Sequence, residues 1–291
     1  MPDLSEYYQP QSLTTALELL AKSGGKLRPL AGGTDIVPAM SKGELKADGL
    51  VDLSKLPDIQ RISVDGNEVK IGSLTTFTQI ETSPLIRAKA SLLAEAAAAV
   101  GSPQIRNLGT IGGNIANASP AADTVTALVT LDAKARLDSL KGSRRVLVSE
   151  LLCGAGKTNI HPQEIITEIN FKIPPPGSKT GFIKLGRRKA LAIARMNLAI
   201  IFNVKEERIS FARVGLGAVG PNPRRYVVLE NSLLGQTPSE VLIEKFAIEA
   251  ECEVTRVLGS RPSAVYKCEA VKGIARDLLT KLFLDSGQGV V

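Results

Sequence analysis

Two segments of this chain place paired glycines among small polar residues, a pattern able to hold a phosphate. The first is Leu30-Ala31-Gly32-Gly33-Thr34-Asp35-Ile36. The apolar run from Leu27 to Ala31 delivers the chain into the glycines. Lacking Cβ, these let backbone N–H groups approach a ligand closely and adopt left-handed conformations. Successive N–H groups in such a turn form a concavity for an anion, and Thr34 adds a hydroxyl donor. The same residues equally make a plain strand-to-helix turn capped by Thr34 or Asp35. Taken alone, this segment does not choose between the two.

The second segment is Thr110-Ile111-Gly112-Gly113-Asn114-Ile115-Ala116-Asn117-Ala118-Ser119-Pro120-Ala121-Ala122-Asp123. It reads as another glycine loop, rich in small and neutral groups. Thr110, Asn114, Asn117 and Ser119 offer uncharged hydrogen bonds, and Asp123 offers one anionic acceptor for ribose hydroxyls. That inventory suits a sugar joined to phosphate. The competing reading is an N-capped helix after a tight glycine turn.

A third glycine cluster fails on its context. Gly215-Leu216-Gly217-Ala218-Val219-Gly220 has the spacing of a dinucleotide fingerprint. That fingerprint requires a helix to start at the glycines, because its N-terminal N–H groups hold the pyrophosphate. Pro221-Asn222-Pro223 follows at once, and the residue before a proline is pushed out of α conformation. The cluster therefore reads as a strand end entering a turn.

The elements that must position these loops are legible in outline. Ser12 caps a helix carrying Leu13, Ala16, Leu17 and Leu20, which Gly24-Gly25 ends. Gly49–Leu53 reads as a strand, and Ile62–Ile71 as a hairpin about Asp65-Gly66-Asn67. Helices are expected from Thr76 to Glu81, Leu92 to Val100 and Pro120 to Leu131, and strands over Ala133–Asp138 and Ile165–Ile173. Pro174-Pro175-Pro176-Gly177 can continue neither helix nor sheet, so a domain boundary is placed there. Beyond it, Phe182–Leu185, Asn197–Val204 and Arg208–Ala218 read as an antiparallel meander with a tight turn at Glu207-Arg208. Glu240–Val254 and Ser263–Leu284 read as long amphipathic helices.

Composition narrows the function. The 291 residues are 44% hydrophobic and 22% charged, a globular profile. No apolar run approaches the roughly 20 residues of a membrane span, and Met1 to Gln11 do not resemble a secretory signal, so a cytoplasmic protein is expected. One histidine, His161, argues against a histidine metal site or a serine triad; beside Pro162 it reads as a loop residue. Cys153, Cys252 and Cys268 match no ligand spacing. The absence of tryptophan argues against nucleic-acid stacking. The net charge of +7 is uneven, about −2 over residues 1–140 and about +9 beyond, which suits a solvated basic face, or one that meets nucleic acid, an acidic partner protein or a phosphorylated ligand.

With both glycine segments, their order and separation in view, the chain resembles the FAD-binding medium subunit of molybdenum hydroxylases, the family of xanthine dehydrogenase-like and aerobic carbon monoxide dehydrogenase-like complexes. Gly101-Ser102-Pro103-Gln104-Ile105-Arg106-Asn107, Phe182-Ile183-Lys184-Leu185-Gly186-Arg187-Arg188-Lys189-Ala190-Leu191-Ala192-Ile193-Ala194, Leu216-Gly217-Ala218-Val219 and Arg261-Pro262-Ser263-Ala264-Val265-Tyr266-Lys267 fit the same pattern. The resemblance covers nearly the whole chain.

It implies an α+β fold. Residues 1–176 would form an FAD-binding domain of the vanillyl-alcohol oxidase (PCMH) type, with subdomains of about 1–54 and 55–176. Residues 177–291 would form an α/β C-terminal domain with a small antiparallel sheet and helices, and FAD would lie in the cleft between them. Leu30 to Ile36 would line the pyrophosphate. Thr110, Gly112, Gly113, Asn114, Asn117, Ser119 and Asp123 would complete the phosphate and ribose contacts. Ile166 and Lys184 match cofactor-contacting positions, and Ile193 would approach the flavin ring. A cation such as Lys184 can stabilise negative charge on reduced flavin, though without the resemblance it reads as a lysine at a strand end. Three cysteines fall short of the four thiolates of an iron–sulfur cluster, so the cysteine-rich insert of some relatives is missing. The expected partners are a small [2Fe–2S] subunit and a large molybdopterin subunit in a dimer of heterotrimers, with no nucleic acid and no membrane span. No acid–base residue is nominated on this chain. The competing functions are a self-sufficient flavin oxidoreductase and a non-catalytic basic binding or assembly module.

Overall fold

A computed structural model describes residues 5–188 and 191–284. The chain divides into two compact units that are discontinuous in sequence. One comprises Met1–Ile80, Ser102–Ser119 and Asp132–Lys172, the other Glu81–Gly101, Pro120–Leu131 and Ile173–Val291. Among the described residues, no helix is long and apolar enough to cross a membrane.

The first unit opens with a three-stranded parallel sheet in which Gly49–Asp52 lies between Glu6–Tyr8 and Leu27–Leu30. Parallel strands need a crossover, and the helix Leu13–Lys22 supplies the one from Glu6–Tyr8 to Leu27–Leu30, the two strands that flank the centre. The Ser12 hydroxyl accepts from Thr15 N at its start, and Ala16, Leu17 and Leu20 are its buried face. These pack with Leu27, Val51 and Leu53. Asp52 ties the sheet together, accepting from Tyr7 Oη at 2.6 Å, Gln9 Nε2 at 2.8 Å and Ser54 N at 2.9 Å. Burial alone would raise the Asp52 pKa, but these bonds outweigh it and hold the carboxyl below its ordinary value.

A second sheet in the same unit is antiparallel. Its order is Ile62–Asp65, Glu68–Gly72, Ile165–Lys172, Lys134–Ser139, Gly142–Leu147. The expected hairpin forms, with Asp65 opposite Glu68 and Gly66 at φ 57°. The central strand Ile165–Lys172 is buried at six of its eight positions, with Glu168 half-exposed and Lys172 exposed. Its register slips between Ile166 and Glu168. The strand Gly142–Leu147 carries Gly-Ser-Arg-Arg on a solvent-facing edge, so no apolar alternation announced it.

The second unit holds a four-stranded antiparallel sheet: Lys179–Leu185, Met196–Lys205, Arg208–Gly217 and Arg224–Arg225. The meander expected from sequence is present, but its turn sits one residue earlier, on Glu206 and Glu207 at φ 48° and 60°. Two successive left-handed residues make the twist that antiparallel strands favour. One side of this sheet meets Glu240–Leu258 and Ala264–Leu284 in a core including Phe202, Phe246, Val254 and Leu279.

The helix Asp123–Thr130, buried at every position, packs on Arg208–Gly217. Here the third glycine cluster finds its purpose. A Cβ on Gly215 would overlap the Thr130 hydroxyl, and one on Gly217 would overlap Asn197 and Thr126. Both glycines admit a helix at close range and lie in strand, as the prolines beyond them required.

Candidate functional site

The first glycine segment is a turn between the strand Leu27–Leu30 and the short helix Ile36–Ser41. Gly33 takes φ 73°, a conformation that only glycine adopts cheaply. Gly32 is there for another reason: a Cβ on it would overlap the Leu108 carbonyl, so the turn lies directly against the end of the helix Pro103–Leu108. The turn's carbonyls are used, Gly33 O by Val37 N and Asp35 O by Ala39 N, both at 3.1 Å. The N–H groups of Gly33 and Thr34 have no partner among the described residues, nor does the Thr34 hydroxyl. Asp35 precedes the helix without a side-chain capping bond, and the surrounding protein raises its pKa through desolvation.

The second segment differs from its expectation. Thr110 to Asn114 is not a loop but the beginning of the helix Ile111–Asn117. The Thr110 hydroxyl caps it, accepting from Gly113 N at 3.2 Å. Gly112 is a packing glycine, since a Cβ there would lie 2.7 Å from Ser73 Cβ and 2.8 Å from its carbonyl oxygen. The helix closes on Ala118 in left-handed conformation, φ 47°. The next helix starts at Asp123 rather than at Pro120; Ala122 is its cap, and the intervening residues turn the chain.

Both glycine segments face one groove of about 350 Å³ in the first unit. Of the residues singled out from sequence, Ala31, Gly32, Gly33, Thr34, Asp35, Ile36, Thr110, Gly112, Gly113, Asn114, Asn117 and Ile166 line it. Leu30 ends the strand just before, and Ser119 ends this unit's middle segment; neither is in the lining. Sequence reading missed an apolar wall of Leu53, Leu74, Phe77, Ile160, Pro162 and Ile165, together with Arg28 and Ser73. No local motif marks those residues, because strands far apart in sequence bring them together. His161 is in a loop, as expected, and its surroundings include Glu164. Glu164 is committed to Arg144, whose guanidinium donates to both carboxylate oxygens at 2.6 and 2.9 Å. Its pKa is lowered chiefly by that bond.

Asp123 and Lys184 meet in the second unit. The Lys184 ammonium lies 2.6 Å from Asp123 Oδ2 and donates to the Ala99 carbonyl at 2.8 Å. Asn197 Nδ2 donates to Asp123 Oδ1 at 2.9 Å, and the Thr126 hydroxyl donates to Asn197 Oδ1 at 2.8 Å. The Asp123 side chain is 5% exposed. Burial pushes its pKa up, and Lys184 and Asn197 offset only part of that. A pair this deep is costly to form and costlier to break. Ile193 is 83% exposed in the segment between two strands of the same unit. Lys189 and Ala190 of that motif lie outside the described residues, as do Met1 to Leu4.

Comparison with known proteins bears on both units. The family described as the FAD binding domain in molybdopterin dehydrogenase matches residues 3–176, and the CO dehydrogenase flavoprotein C-terminal domain matches residues 182–282. The nicotinate dehydrogenase FAD-subunit of Eubacterium barkeri is 36% identical over 286 residues, spanning 96% of this chain and 95% of its own. The carbon monoxide dehydrogenase medium chain of Afipia carboxidovorans is 31% identical, spanning 92% of each. Among solved structures, a chain of carbon monoxide dehydrogenase from Hydrogenophaga pseudoflava superposes with a TM-score of 0.90 at 28% identity, covering 98% of this chain and 99% of that one.

Proposed function

Because this chain belongs to the family of FAD-binding subunits of molybdopterin dehydrogenases, we propose that it is the flavin-carrying electron-transfer subunit of a molybdenum hydroxylase complex. The observation that carries the reading is the groove, whose two walls match the two chemistries of the cofactor. FAD joins ring systems through a diphosphate. The Gly33-Thr34 turn presents N–H groups without partners among the described residues, and Thr34 and Asn117 add side-chain donors. Such a turn suits phosphate oxygens. The apolar wall from Leu53 to Ile165 suits a ring.

Ala31 to Ile36, Thr110, Gly112, Gly113, Asn114, Asn117 and Ile166 would hold the cofactor from this groove. The assignment of Leu30, Ser119, Asp123 and Lys184 rests on the resemblance. When bound, the flavin supplies passage between one-electron and two-electron redox partners. The chain's own residues bind and orient it, and Arg28 contributes positive charge near the groove's donors. The electrons would come from [2Fe–2S] clusters on a small subunit, and the substrate would be oxidised on a large molybdopterin subunit, two of each with two copies of this chain. A self-sufficient oxidoreductase fits less well, since the relatives above are named as a subunit and a medium chain.

The division into an FAD-binding domain of residues 1–176 and a C-terminal domain of 177–291 belongs to this reading. The test is to purify the complex from its native source and denature it to release bound cofactor. About one FAD per copy of this chain is expected; a complex without flavin overturns the proposal.

A further inference from the structure

Resting on the FAD reading, we propose that Ser73 is a further ligand-binding residue of the groove, its hydroxyl donating a hydrogen bond to a phosphate oxygen of the dinucleotide. Ser73 follows the strand Glu68–Gly72 and is fixed on both sides by main-chain bonds. Its N–H donates to the Thr167 carbonyl at 3.0 Å, and its carbonyl accepts from Gly112 N at 2.8 Å. The missing Cβ of Gly112 lets Ser73 press against the first turn of the helix Ile111–Asn117, whose Thr110 and Gly113 line the same groove.

Ser73 is 2% exposed, it lines the groove, and its hydroxyl has no partner among the described residues. A buried polar group without a partner is destabilising, and native proteins rarely retain one. Alanine would fill the same place without that cost, so the hydroxyl points to an acceptor that arrives with the ligand. Ser73 lines the groove, and the three staggered χ1 wells of serine let its hydroxyl reorient without moving the backbone. Thr75, whose hydroxyl is also buried without a partner, is not part of the groove lining and carries no such reading.

The experiment compares the flavin-free full chain with Ser73→Ala by calorimetric titration with FAD, thermal unfolding without ligand, and ³¹P NMR of the bound cofactor. Expected are FAD binding weakened about tenfold or more, as for a lost bond to a charged acceptor. The ligand-free variant should melt at or above the parent temperature, and one ³¹P resonance should move. Equal affinity with unchanged ³¹P shifts overturns the role of Ser73 alone. A well-folded parent chain that binds no FAD overturns the FAD reading and this inference with it.

Discussion

At the scale of single residues, Asp123 and Lys184 carry an electrostatic argument that is independent of any cofactor. Asp123 is buried, each of its oxygens accepts one strong donor, and its pKa stands above the usual carboxylate value mainly through burial. Lys184→Met would leave that carboxylate without its cation. Removing one partner of a buried pair costs about 3–5 kcal/mol. The pH dependence gives the cause away. A carboxyl whose folded pKa is raised holds more protons folded than unfolded between its two pKa values, so stability falls as pH rises through that window. In the variant the Asp123 pKa rises further and the window widens upward. The deficit against the parent should therefore be largest near pH 8 and shrink toward pH 5, as urea unfolding at several pH values would record. Asp123→Asn added to Lys184→Met should recover much of the loss. A deficit independent of pH would mean that the lysine matters only through its packing.

At the scale of elements, three of the four glycines in the two segments separate into different jobs. Gly32 gives way to the Leu108 carbonyl and Gly112 to Ser73, whereas Gly33 has φ 73° and a Cβ there would meet only Val37 and Leu30, at the ordinary distances of 3.4 and 3.5 Å. Gly32→Ala should thus unfold the chain about 2–4 kcal/mol more readily, in the range of overpacking with backbone displacement. Gly33→Ala should cost about 1 kcal/mol of backbone strain and chiefly disturb the turn's N–H groups. Thermal unfolding and retained flavin, measured on both, tell the two roles apart; equal stability losses would sink the distinction. Sequence showed that these glycines mattered but not which constraint each obeys, because the constraint comes from Leu108 and Ser73, far along the chain. The same limit explains the second segment. Isoleucines at 111 and 115 mark a helical face, but a helix whose first turn holds two glycines runs against propensity, and the Thr110 cap together with packing on Ser73 overrides it. By contrast, the long helices after residue 240 and the Met196–Gly217 meander were legible because their apolar periodicity extends over many residues. The edge strand Gly142–Leu147 was not, because its polar side chains point to water.

At the scale of the whole molecule, the three cysteines decide where the electrons can come from. A [2Fe–2S] cluster takes four ligands, normally thiolates, and this chain offers Cys153, Cys252 and Cys268 in total. Cys153 and Cys252 are exposed, while Cys268 is half-buried with its sulfur 3.0 Å from the Thr255 hydroxyl. Serine preserves that hydrogen bond and nearly the same volume at all three places. The triple replacement Cys153→Ser, Cys252→Ser and Cys268→Ser should therefore cost less than about 1 kcal/mol of stability, as surface changes usually do. If the clusters reside on a partner, the reconstituted complex should keep its full iron content, and the flavin should still bleach on adding substrate of the complex. Iron lost in step with the replacements would place a cluster ligand on this chain. Full iron with a flavin that no longer bleaches would instead make one of these thiols part of the route by which electrons reach the cofactor.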